Sequence, residues 1–429
     1  MKKTLITLLA SGLLSVAVQA QTLQEGINNL YAGRIKNAIT VFEKLLAVNP
    51  NNIEAIYWLG QTKLETDEIM GARLKDVRSI YEKALQATNG APLIKVGMGH
   101  IDLLTNKNED ARQHFESALT MTRTKKGDDP VISTAIGRAI TDTKTGDFAY
   151  AIRLLEDASS KDPKNTETLI QLGNAYRKAR PGEGGGMAFQ TYKKAIEVNS
   201  GFVGPYLRLA KLFESQKNWE LYLQYLNDGI AKDQKFTAAY YELFYYYFFR
   251  AQFAEAENYL TKYIDSKLPE TDIQDQFLYA QLCWAKKDFD CAVSKAEIVY
   301  VAMGDVTKPK VFRLLADAYF QKKDYANAKK YSDLFFQKKN PDDYISGDHK
   351  IRADILSQTR RNALSSPLIN SLYVAKSALS CSDRTCGSVS GCAKTCSIVS
   401  FTCNDISLLY IKDTQDAKRL QKILGKMCG

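Results

Sequence analysis

Residues 145–163 read TGDFAYAIRLLEDASSKDP, a turn-forming Gly146-Asp147 followed by Phe148, Ala151, Leu155, Ala158 and finally Pro163. Ala151 precedes a large apolar residue by four positions and another Ala by seven, so small and bulky side chains fall on one helical face. The same phase returns on both sides of this stretch. Ala38 precedes Phe42, Ala111 precedes Phe115 and Ala118, and Ala188 precedes Tyr192 and Ala195. Self-similarity at a period of about 34 residues marks a repeat array, each unit of which cannot bury its apolar face alone. An array of this kind is usually a binding surface.

Each Ala sits in a longer frame of fixed offsets. Leu172-Gly173 is followed by Tyr176, and the frame then runs into the turn Pro181-Gly182-Glu183-Gly184-Gly185-Gly186 before Ala188. With the Gly146-to-Pro163 stretch, this frame resembles the tetratricopeptide repeat family, whose first helix carries an aromatic, Leu-Gly and Tyr, and whose second carries an Ala-aromatic-Ala series ending near Pro. The resemblance implies an all-α fold, a right-handed superhelical solenoid of antiparallel helix pairs. Small residues at positions 8, 20 and 27 of the unit would let two helices touch, and bulky ones at 4, 7, 11, 17 and 24 would fill the space between units. About nine units are read over residues 21–359, with part of a tenth at Ala353 to Leu356. The second and fifth have lengthened turns, and in the sixth Tyr222 stands where the frame wants Ala.

The two ends differ from the array. Lys2 and Lys3 precede an apolar run from Leu5 to Val18, and Val18-Gln19-Ala20 supplies the small residues a signal peptidase reads, so residues 1–20 are expected to be a secretory leader. The run is shorter than the roughly 20 residues needed to span a bilayer. The leader looks bacterial, and the mature chain is expected to be exported, to the periplasm or cell envelope, without a membrane span. Residues 360–429 form a Ser-rich tail holding six of the eight cysteines, Cys381, Cys386, Cys392, Cys396, Cys403 and Cys428. Three readings stand for it: a small disulfide-stapled domain, an out-of-frame or foreign extension, and, least favoured by its spacing and lack of His, a metal site.

Of the formal +10, residues 1–20 carry +2 and the tail +6, from ten Lys and Arg against four Asp, which leaves +2 on the array. That gives no indication of a basic stripe for nucleic acid. Catalysis has no support: the three His, His100, His114 and His349, lie beside no recognisable nucleophile motif. No cofactor, metal or enzymatic activity is expected.

By resemblance, positions 2, 5, 9, 12 and 13 of each first helix face a concave groove. In units five to nine these offsets, with the aromatic run 240–249, point to Asn174, Arg177, Lys178, Lys211, Tyr241, Tyr245, Phe248, Phe249, Phe277, Trp284, Arg313 and Phe320, beside Ile170 and Leu207. Aromatic rings there would anchor a peptide for little lost entropy, and Asn174, Arg177, Lys178 and Lys211 could hold a carboxylate. Alternatively, the aromatics are inter-repeat core. Cys283 and Cys291, across the hairpin of unit eight, could form a disulfide or remain two buried thiols. The expected function is a non-catalytic scaffold or adaptor of the bacterial cell envelope that binds another envelope protein or peptide. A glycan- or peptidoglycan-binding solenoid and an accessory part of a truncated enzyme or sensor are the alternatives. The incomplete tenth unit leaves an apolar face that an oligomer could cover.

Overall fold

The computed structural model describes residues 23–364 apart from 67–69 and 270–271. The leader and the six tail cysteines lie outside the described residues. Helices follow one another as antiparallel pairs: α1 (residues 23–31) with α2 (Ile35–Val48), α3 (Ile53–Leu64) with α4 (Met70–Ala87), α5 (Pro92–Leu104) with α6 (Asn108–Thr122), and α7 (Pro130–Thr141) with α8 (Phe148–Lys161). Next come α9 (Thr166–Ala179) with α10 (Gly185–Val198), α11 (Gly204–Ser215) with α12 (Trp219–Lys232), α13 (Thr237–Phe248) with α14 (Phe253–Lys267), α15 (Asp275–Ala285) with α16 (Phe289–Met303), and α17 (Pro309–Gln321) with α18 (Tyr325–Lys338). A single helix, α19 (Ser346–Leu364), follows. No strand forms among the described residues. The protein is an all-α solenoid.

Small side chains set the spacing within each pair. Ala38, Ala111, Ala118, Ala151, Ala158, Ala188, Ala195, Ala256, Ala292 and Ala328 are all fully buried. Glycines of the first helices face the bulky residue of the second: a Cβ on Gly99 would lie 2.5 Å from Phe115 Cε1, and one on Gly137 2.6 Å from Leu155 Cδ2. Nothing larger than hydrogen fits there. Where Tyr222 replaces Ala, the ring is buried and its hydroxyl donates to Glu242, while Gly229 two turns onward makes room for Phe236.

Turns between paired helices follow a common design. Gly33, Asn106, Lys217, Ala251, Lys287 and Lys323 have positive φ and reverse the chain, and Asn218, Asp288 and Asp324 then cap the next helix by accepting from Leu221, Cys291 and Asn327 amides. Cys283 and Cys291 are joined by a disulfide across such a turn, linking α15 to α16.

The stack bends round until its first pair meets its sixth and seventh. The carbonyl of Ala32 accepts a 2.9 Å hydrogen bond from the amide of Ala238. Arg34 Nη1 pairs with Asp233 at 2.8 Å and bonds the Lys235 carbonyl, and Lys36 Nζ lies 3.7 Å from Asp272. The Tyr31 ring packs edge-on against Phe202, 4.8 Å between centroids, beside Ile170 and Gly204. Pairs one to seven therefore form a closed ring, with the remaining helices extending from it.

Candidate functional site: an inner face in two parts

In the first helices from α3 to α17, one residue follows the position at the pair contact, which is small in all but α13. Gln61, His100 and Arg138 follow Gly60, Gly99 and Gly137, and Asn174, Lys211, Gln281 and Asp317 follow Gly173, Ala210, Ala280 and Ala316; in α13 the equivalent residue, Tyr245, follows the buried Phe244 instead of a small one. Bonds between Gln61 and His100 and between Tyr245 and Gln281 join neighbouring first helices along this track, which the repeat resemblance makes the inner face.

In the ring the track is sealed. Arg138, 6% exposed, stacks 4.9 Å from the Trp58 centroid, donates to Tyr31 Oη at 2.8 Å and pairs with Glu167 at 2.9 Å. Burial opposes the charge on Arg138, but Tyr31, Glu167 and Asp142 outweigh it and hold the guanidinium firmly protonated. Gln171 donates to both Tyr31 and Glu167, and burial pushes the Tyr31 hydroxyl far above its ordinary range. His100 Nδ1 meets Gln61 Oε1 at 3.0 Å, and burial, with help from Arg138, pushes its pKa down to about 3, leaving a neutral ring. A cavity of about 540 Å³ remains at one mouth of the ring, walled by Ile27, Tyr57, Trp58, Leu93, Val131 and Phe202.

The polar groups expected to hold a carboxylate are largely engaged within the chain. Asn174 donates to Gln171 and accepts from Tyr192; Lys178 caps α7 at the carbonyls of Thr141 and Thr143; Lys211 pairs with Glu214 at 3.0 Å and with Glu242. Arg177 is half-buried, and its Nη1 has no hydrogen-bond partner among the described residues. Arg313 holds α19 in place through Asp348 at 2.7 Å.

From the seventh pair onward the inner face carries aromatic rings. Tyr245 stacks on Phe249, 5.6 Å between centroids, meets Tyr241 edge-on and donates to Gln281 Oε1 at 3.3 Å. Phe249 is 77% exposed, Trp284 41% and Tyr241 37%, while Phe248 and Phe320 are half-buried. Trp284 Nε1 donates to Asp317 at 2.5 Å, which fixes the indole across the gap between α15 and α17. Of the run 240–249, Tyr240, Leu243 and Phe244 are core. Two expectations need correction. Phe277 does not face the groove: at 3% exposure it is packed in the apolar core between α16 and α17, beneath Lys310. Ile170 is likewise fully buried, under Tyr31.

Reading groove offsets only from the fifth unit onward missed Gln61, His100 and Arg138. Their place immediately after a helix-contact Gly is the signal that finds them. The closure through Tyr31 to Arg34 had no signal of this kind. Among the described residues no three His, Cys, Asp or Glu side chains converge to hold a metal ion, and no helix is long and apolar enough to cross a membrane.

Several solved structures align with this chain at low identity. The APC/C hetero-tetramer Cut9-Hcn1 aligns at 16% identity and TM-score 0.44 over 74% of this chain, which spans 59% of that chain. A tetratricopeptide repeat protein from Parabacteroides merdae aligns at 18% identity and TM-score 0.41, covering 54% of this chain and 87% of that one. Yeast Tom70 aligns at 16% identity and TM-score 0.39, covering 80% and 81%. In the ninth pair, residues 312–334, which run from α17 into α18, match the family model described as tetratricopeptide repeat.

Proposed function

We propose that this protein is a non-catalytic scaffold of the bacterial cell envelope that holds a segment of another envelope protein on the inner face of α13, α15 and α17. The observation that carries this reading is Phe249, 77% exposed at the C-terminal cap of α13 and stacked on Tyr245, with Trp284 41% exposed one pair further on. Large apolar groups left in water on fixed elements favour a partner that covers them. Helix-borne rings lose little entropy when they are covered. Asn174, Lys178 and Lys211 are already bonded within the chain, so the partner segment is held chiefly by apolar contact rather than by a carboxylate clamp.

Crosslinking and affinity capture from the native envelope tests this, with wild type beside a Phe249→Ala, Trp284→Ala variant of unchanged melting temperature. The expected result is one envelope protein captured by wild type and lost with the variant. Equal capture by both proteins would remove this face from consideration. Capture of glycan strands in place of protein would favour a polysaccharide ligand on the same rings.

A further inference from the structure

Two guanidinium groups inside the ring are left over once its ion pairs are made. Arg138 is held by Glu167, and Lys211 by Glu214 and Glu242. Arg177 in α9 and Arg208 in α11 form no ion pair and no side-chain hydrogen bond among the described residues. Arg177 Nη1 and Arg208 Nε are nevertheless covered by the surrounding chain. A covered charged donor without an acceptor is costly, so two in one place call for an acceptor that the chain itself does not supply.

The two lie close to one another and to a third cation. Both charges reach the Tyr192 hydroxyl, which donates to Asn174 Oδ1 at 2.8 Å, and that of Arg208 also reaches Tyr31 of the first pair. Burial, and then Arg177 and Arg208, lower the pKa of Lys178 against the pull of Asp142. Lys178 Nζ bonds the Thr141 and Thr143 carbonyls, so it brings a charge to the cluster but no counter-ion. In the first helices α7, α9 and α11, Asp142 at the end of α7 is the carboxylate that the ion pairs leave over, 3.9 Å from Arg138 Nε and 3.8 Å from His100 Nε2. Three cations therefore face one acid. Asp142 keeps 30% of its side chain accessible, and Arg177 and Arg208 are half-buried, so the cluster borders a solvent space and not the packed core.

We propose that Arg177 and Arg208 are the direct ligands of an anion site inside the ring, with Lys178 adding charge, and that the anion is a phosphate group. A guanidinium offers its donors as a planar fork that matches phosphate oxygens in pairs. Free phosphate or a phosphate monoester carries close to two negative charges at neutral pH, which balances the excess of three cations over one acid. A lone carboxylate brings one charge and would leave the cluster positive. This site is separate from the aromatic face on α13 to α17, and the proposal does not depend on it.

Isothermal titration of the full chain with inorganic phosphate, glycerol phosphate and acetate, at one ionic strength, tests the site. One phosphate per chain is expected to bind, about tenfold or more tighter than acetate. Arg177→Gln and Arg208→Gln should each weaken it about tenfold or more. Neither should lower the melting temperature in phosphate-free buffer, because neither guanidinium bonds anything there. Asp142→Asn should tighten binding several-fold by removing the opposing charge. Tighter binding of glycerol phosphate than of inorganic phosphate would identify the ligand as a phosphate ester, and the reverse order as free phosphate. The proposal fails if phosphate binds no better than acetate, or if either Arg variant, folded as wild type, keeps the wild-type affinity.

Discussion

The guanidinium of Arg138 lies 4.9 Å from the centroid of the Trp58 ring, so a cation from the fourth helix pair is stacked on an aromatic of the second inside the closed ring. Arg138 is buried, and Glu167 supplies the opposing charge at 2.9 Å. Removing one member of a buried ion pair leaves the other without compensation, at a cost of about 3–5 kcal/mol. Arg138→Met is therefore expected to lower the unfolding free energy by about 3 kcal/mol in urea titrations. Arg138→Met with Glu167→Gln should recover much of the loss.

Helix-contact glycines make a second expectation, with an internal control. Gly99→Ala places a methyl group 2.5 Å from Phe115, and Gly137→Ala places one 2.6 Å from Leu155. Overpacking of this kind costs about 1–3 kcal/mol. Gly71 in α4 and Gly186 in α10 have nothing within 4 Å of an added Cβ. Gly71→Ala and Gly186→Ala should raise stability by about 0.5 kcal/mol through the unfolded chain. Thermal melting of the four single variants should separate into two groups of opposite sign.

The neutral state of His100 predicts a pH dependence of stability. Its folded pKa, about 3, lies below the unfolded value of 6.5, because burial and then the nearby Arg138 charge disfavour the imidazolium. Below pH 6.5 the unfolded chain binds a proton that the folded one does not. The stability contributed by the neutral ring is complete above that pH and falls by roughly 1.4 kcal/mol per unit as the pH drops toward 3. Urea unfolding at pH 7 and pH 5 should show this loss in wild type. His100→Gln should flatten that part of the profile while keeping a bond to Gln61.

The Cys283–Cys291 bridge closes a short loop, at a sequence separation of 8. Chain-entropy arguments give such a loop about 2–3 kcal/mol of stabilisation. Replacing both residues by Ala is expected to cost about that much, with the loss concentrated in α15 and α16 and visible as faster amide exchange there. Because exchange is read helix by helix, the tail cysteines do not confuse the result.

The repeat frame was legible because its determinants are local. Ala151, Leu155 and Ala158 are spaced for one helical face, and the residues that must be small are small whatever surrounds them. The offset that assigns Tyr245, Phe249 and Trp284 to a groove rests on the same local spacing. It failed at Phe277, where an inward offset near the start of α15 meets the neighbouring pair and is covered by Val311 and Phe312 of α17. It was also silent on the partners of Asn174, Lys178 and Lys211, since a polar side chain at a groove position reads identically whether it awaits a ligand or bonds its neighbour. Closure of the ring was out of reach altogether. Tyr31 meets Glu167 and Ala32 meets Ala238 only because small rotations between pairs accumulate over several units, and no short pattern encodes that sum.

The bond between Ala32 and Ala238 changes how the chain must fold. An open array can nucleate at any unit and grow outward by nearest-neighbour steps, and it tolerates trimming at either end because the loss is felt only next door. Here the first unit is a neighbour of the seventh as well as of the second. The last step of assembly is a long-range closure that carries the entropic cost of a large loop and slows folding accordingly. Trimming the first pair would be felt across the hoop, at Phe202, Asp233 and Ala238.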